Sequence, residues 1–81
     1  TNTTFSYEEL DVINKFIERN EGVKTMDERN FIWVESSDID VSFKVNRDDK
    51  KRFIMVCITR FGDYNTHVCG LPVDMKKVLG L

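Results

Sequence analysis

Ile39-Asp40-Val41-Ser42-Phe43-Lys44-Val45, then Asn46-Arg47-Asp48-Asp49-Lys50-Lys51, then Phe53-Ile54-Met55-Val56-Cys57-Ile58-Thr59: the reading of these pieces decides the fold. The first alternates apolar and polar residues, the mark of a strand with one buried face. The second is a polar turn. The third is apolar at both parities, with Met55, Cys57 and Thr59 on one side and Ile54, Val56 and Ile58 on the other. A strand of that kind is central in its sheet and needs cover on both faces.

The pairing of the two strands has two readings. If Val45 meets Phe53, the face carrying Ile39, Val41, Phe43 and Val45 gains Phe53, Met55 and Cys57. If Val45 meets Arg52, it gains Ile54, Val56 and Ile58 instead. A one-residue slip exchanges the faces, and periodicity does not choose between them.

Upstream of this hairpin, Phe31-Ile32-Trp33-Val34 is a β-branched and aromatic run, bounded by Asn30 and by Ser36-Ser37-Asp38. Val23 to Met26 is a weaker strand candidate. The strongest local signal lies earlier still. Ser6 and Glu9 have capping-box spacing, with Phe5 and Leu10 as a hydrophobic staple. Leu10, Ile13, Phe16 and Ile17 recur at helical spacing, and Asn20 and Gly22 are stop residues. This predicts a helix over Tyr7–Asn20. Downstream, Phe53 to Phe61 is read as strand, Gly62-Asp63-Tyr64-Asn65 as a turn, and Thr66 to Leu71 as a short partner strand. Pro72-Val73-Asp74 leads to a brief helix, Met75 to Leu79, ended by Gly80.

The expected fold is α+β: one domain over residues 1–81, with an N-terminal helix packed on a three- to four-stranded antiparallel sheet and a short C-terminal helix. The helix–strands–helix order resembles that of double-stranded RNA-binding domains, although Lys76-Lys77 stands alone where that family carries a lysine-rich second helix. The main helix covers one face of the central strand, and Val73–Leu81 is too short to cover much of the other. Either an apolar patch is left, which marks an interface, or Trp33, Tyr64 and the C-terminal segment fold over it. A homodimer hiding that face is a further alternative.

Charge is sorted along the chain. Residues 1–40 hold ten acids against four bases; residues 41–81 hold eight bases against four acids. Such asymmetry presents opposite potentials to partners, and it is expected to make two differently charged faces. The candidate acidic partner-binding surface is Glu8, Asp11, Glu18, Asp27, Glu28, Glu35 and Asp38, with Glu21 and Asp40 beside it. The candidate basic surface is Arg47, Lys50, Lys51, Arg52, Lys76 and Lys77. The net charge of −2 and pI near 5.3 give no global attraction to nucleic acid or anionic membranes.

Catalytic and metal motifs are weak. His67 and Cys69 share one strand face with Asp63 nearby, but H-x-C alone lacks an orienting acid and oxyanion donor at defined spacing. Cys57 and Cys69 lie in apolar segments and are expected on opposite faces, which argues against a shared zinc and for reduced cysteines. Gly22, Gly62, Gly70 and Gly80 are scattered, so no phosphate-cradling loop is present. No cofactor, metal or membrane span is expected, and the polar start (Thr1-Asn2-Thr3-Thr4) is unlike a signal peptide, which suggests the cytoplasm.

The functional expectation is a non-enzymatic protein-interaction domain, a regulator or inhibitor docking on a larger macromolecule such as a nucleic-acid-handling protein. A small stand-alone inhibitor of the kind carried by phages or mobile elements fits the size. The alternative is an RNA- or DNA-binding module using the Arg47–Arg52 hairpin, with Arg60, Tyr64, Phe61 and His67 in support.

Overall fold

A computed structural model describes residues 3–81. It contains helix α1 (Tyr7–Asn20), strands β1 (Val23–Asp27), β2 (Phe31–Glu35), β3 (Ile39–Arg47), β4 (Arg52–Arg60) and β5 (Asp63–Cys69), and helix α2 (Pro72–Leu79). The strands form one antiparallel sheet in chain order, β1-β2-β3-β4-β5. The α+β architecture is as expected. The sheet has five strands rather than three or four, which also departs from the three-stranded plan of double-stranded RNA-binding domains.

Local chemistry explains each element. Ser6 caps α1: its Oγ accepts from the Glu9 N–H at 3.2 Å, and Glu9 Oε1 accepts from the Ser6 N–H at 2.8 Å. The helix ends at Glu21, which takes the left-handed conformation (φ 52°). Gly22 serves a different need from the stop expected of it. A Cβ there would lie 2.7 Å from Val34 Cγ1, so only glycine lets the chain pass this close to the sheet.

The β4–β5 turn is shorter than its sequence suggests. Phe61 and Gly62 alone make it, both at positive φ (51° and 85°), with Arg60 paired to Asp63. That is the type I′ hairpin, whose twist matches that of the strands it joins. So β5 starts at Asp63, inside what reads as a loop. The α2 helix likewise starts at Pro72, before Met75, because proline suits the first helical turn.

Register decides the core. Val45 pairs with Ile54, Phe43 with Val56 and Val41 with Ile58. This selects the face that carries Ile54, Val56 and Ile58, but the pairing is two residues away from the Val45–Arg52 alternative. The hairpin tip is a four-residue loop, Asp48–Lys51. Asp48 Oδ1 accepts from the N–H groups of Lys50 and Lys51, both at 2.9 Å, so the acid inside this basic turn is a structural cap. Those two backbone donors also lower its pKa.

One face of the sheet packs on the helices. Val12, Ile13 and Phe16 of α1 and Met75 of α2 join Ile32, Val34, Val41, Phe43, Ile54 and Val56 in a fully buried core. Phe16 meets Phe43 edge-on with ring centroids 6.4 Å apart. Leu81 and Leu79 pack against the same cluster. The C-terminal segment therefore adds to the covered side and does not fold over the other.

Glu9 and Arg52 form a part-buried ion pair. Arg52 Nη1 donates to Glu9 Oε2 at 2.7 Å, and Arg52 Nη2 donates to both Glu9 Oε1 and the Thr4 carbonyl. Burial alone would push the Glu9 carboxyl up. The Arg52 hydrogen bonds, the Ser6 N–H and the guanidinium charge outweigh it and hold Glu9 below the ordinary value of 4.5. The pair fastens the start of α1 to the start of β4.

Candidate interaction surface

The face opposite the helices is assembled by register alone. One row across the strands reads Phe31, Lys44, Met55, Val68; the next reads Met26, Trp33, Ser42, Cys57, Thr66. Asn46 and Phe53 extend it towards the β3–β4 hairpin. At the other end lie Glu35, Asp40, Thr59 and Tyr64. No described helix packs here, and Trp33 remains 38% exposed. The surface is an open apolar floor with a single lysine at its middle and acids at one end.

A shallow hollow of about 410 Å³ opens on this floor between Phe31, Lys44, Phe53, Met55 and Cys57. Phe31, which lines it, meets Trp33 at a tilt, with ring centroids 6.3 Å apart. Cys57 lies half-buried among hydroxyls: the Tyr64 hydroxyl donates to its sulfur at 3.4 Å, and Thr66 Oγ1 lies at 3.7 Å. Burial raises the Cys57 thiol, but hydrogen bonds from Tyr64, Thr66 and Ser42 prevail and lower it overall.

The charged candidates are dispersed. The Asp27–Glu28 acids sit at the same end of the sheet as Arg47, Lys50 and Lys51, because alternate hairpin turns share an end. Glu35 and Asp38 lie at the opposite end. Glu8, Asp11 and Glu18 are exposed on α1, but Lys15 Nζ lies 3.1 Å from Asp11. Lys76 of α2 lines one hollow with Glu8 and Asp11 and another with Glu18 and Arg19. Lys76 and Lys77 are thus part of the helix layer, apart from the β3–β4 tip. Arg52 leaves the basic set altogether, since its guanidinium faces Glu9. The two expected faces of opposite sign are replaced by mixed charge at both ends and on the helices. What remains clustered is Arg47, Lys50 and Lys51 at one hairpin tip.

The thiol and imidazole candidates are on the helix side of β5. Cys69 is buried, and burial together with the nearby Asp74 charge pushes its thiol up. His67 pairs with Val56 two positions earlier on the same face. Cys57 and Cys69 do lie on opposite faces, as their spacing implies. Among the described residues, no group of three or more His, Cys, Asp or Glu side chains is placed to hold a metal, and no helix is long and apolar enough to cross a membrane. Thr1 and Asn2 of the polar start lie outside the described residues.

Sequence reasoning missed Phe31, Phe53, Met55, Met26 and Val68 as parts of one open face, although the alternation of β3 already put Lys44 on the solvent side. Their period-two spacing was a usable signal, but its direction depended on the register. No protein-family model matches the chain, and no curated protein or solved structure shows significant similarity to it.

Proposed function

We propose that this chain is a non-enzymatic protein-interaction domain that docks a larger partner through the open face of its sheet, acting as a regulator or inhibitor by occupying that partner's surface. The observation that carries this reading is the apolar floor of Phe31, Trp33, Phe53, Met55 and Cys57, left uncovered by both helices. Contiguous, partly exposed apolar surface of this kind marks an interaction site in a small domain, and rigid aromatics on strands make efficient anchors. Charge specifies the partner further. It presents apolar side chains to the floor, a carboxylate to Lys44 and a basic group to the Glu35–Asp40 end.

A second reading has one observation in its favour: Arg47, Lys50 and Lys51 lie at the same end as Lys44 and the aromatic Phe31 and Phe53. A single nucleic-acid strand could use that combination of cations and stacking surfaces. Glu35 and Asp40 on the same face oppose it. The test compares three proteins side by side: wild type, Trp33→Asp/Met55→Asp, and Lys50→Glu/Lys51→Glu. Retention of a stoichiometric protein partner by the wild type and the hairpin variant, and its loss with the face variant, supports the proposal. Salt-steep binding to labelled RNA or DNA that vanishes with the hairpin variant overturns it.

A further inference from the structure

The two edges of the sheet are built differently. At the β1 edge, the ladder is interrupted by a bulge between Lys24 and Met26, and Lys24 and Asp27 lie 3.5 Å apart as an ion pair. Bulges and charged side chains are the devices that stop an edge from pairing. The only carboxylate of the β5 edge is Asp63, beside its turn. The seven residues of β5 run without a bulge against β4, and residues 64–68 contain no carboxylate, lysine, arginine or proline.

The type I′ turn determines which β5 groups are free. Arg60 and Asp63, flanking the two-residue turn, form a hydrogen-bonded pair, so hydrogen-bonded and non-hydrogen-bonded pairs alternate from there. Asp63, Asn65, His67 and Cys69 therefore bond to β4. Tyr64, Thr66 and Val68 direct their N–H and C=O groups away from β4.

The sequence around this edge is symmetric in character about Thr66. Tyr64 and Val68 stand two residues to either side, exposed by 68% and 64%; Phe61 and Leu71 stand five to either side, exposed by 84% and 61%. These four are among the most exposed large apolar residues of the chain. In an antiparallel pairing of β5 with itself, positions related in this way are the ones that meet.

We propose that β5 pairs with β5 of a second copy of this chain, antiparallel and centred on Thr66, joining two sheets into one of ten strands. The two-fold axis passes through the Thr66–Thr66 pair. Three residues per copy then exchange both backbone hydrogen bonds, which satisfies every outward group of Tyr64, Thr66 and Val68. Tyr64 of each copy lies opposite Val68 of the other, an aromatic–β-branched pair, and the threonines face each other; both pair types stabilise antiparallel strands. On the helix side Asn65 lies opposite His67, and no like charges meet. The register also brings the Phe61 turn of one copy alongside Leu71 of the other. Both open faces end on the same side of the joined sheet, so the edge contact leaves the Phe31, Trp33, Phe53 and Met55 part of the floor free. This inference is independent of what that floor binds.

The test is sedimentation velocity over a wide concentration range on the wild type, Thr66→Lys and Thr66→Glu. Thr66 is exposed, so neither variant disturbs the core, and circular dichroism melts verify that both fold. The expected result is a concentration-dependent doubling of mass for the wild type. Each single variant weakens self-association at least about tenfold, because like charges face each other across the axis. An equimolar mixture of the two variants restores the dimer as a heterodimer. A wild type that stays monomeric throughout overturns the proposal. So does a dimer unaffected by charge at Thr66, which would place the contact away from this edge.

Discussion

Replacing Arg52 by methionine tests the account of the core most directly. Glu9 is only 3% exposed, and its oxygens accept from Arg52 and the Ser6 N–H. Methionine keeps much of the apolar stem but leaves the carboxylate a single backbone donor. Breaking a buried pair by removing one partner costs about 3–5 kcal/mol. Protonation sets an upper bound. Neutralising a carboxyl with an ordinary value of 4.5 at neutral pH costs about 3.4 kcal/mol at ~1.36 kcal/mol per unit. The Arg52 side chain is also a quarter exposed, so water can partly replace it. The expected loss is therefore about 2–3.5 kcal/mol, equivalent to roughly 10–25 °C in Tm for a domain of this size.

The loss has a pH signature. Folding lowers the Glu9 pKa, so the unfolded chain takes up the proton first as pH falls. The stabilisation is complete above about 4.5 and disappears as pH drops through the lower folded value. In the Arg52→Met protein burial dominates and the sign reverses, so its deficit shrinks on acidification. Urea unfolding followed by circular dichroism near pH 7 and near pH 4, with Glu9→Gln/Arg52→Met as the double variant, measures both effects. A loss below about 1 kcal/mol at neutral pH, or one independent of pH, would refute the argument.

Two further outcomes follow from the turn and the thiols. Phe61 occupies a left-handed position that costs a bulky residue about 1–2 kcal/mol, and asparagine before glycine suits a type I′ turn. Phe61→Asn is expected to raise monomer stability by about 0.5–1 kcal/mol; a destabilised variant in dilute thermal melts contradicts the turn assignment. In native protein at mildly alkaline pH, iodoacetamide is expected to label Cys57 well before Cys69, because the first is partly exposed with a lowered pKa and the second is buried with a raised one. Peptide mapping that finds equal labelling rates argues against the two environments.

Much of the fold was legible locally. The Ser6–Glu9 capping box and the Leu10–Ile17 spacing mark α1 because helix signals lie within one or two turns of chain. Alternation marks β3, and apolar residues at both parities mark β4. Legibility failed where a few residues decide direction. Phe61-Gly62 is a complete turn, yet it sits before polar residues that resemble a longer loop. For the surface, sequence listed charges correctly but could not say which would be engaged. Arg52 reads as one of a basic run, whereas its partner Glu9 lies 43 positions away.

By itself the sequence determined that this chain has a capped amphipathic helix, a half-buried β3 and a β4 that is apolar at both parities. Tertiary structure alone decided which face of β4 is buried, that Arg52 is structural, and that Phe31, Trp33, Phe53 and Met55 form one open floor. The physical reason is range. Caps and periodicity act between residues a few positions apart, whereas strand register is set by packing against a helix far along the chain. A shift of one residue in that register would exchange the core and the docking floor.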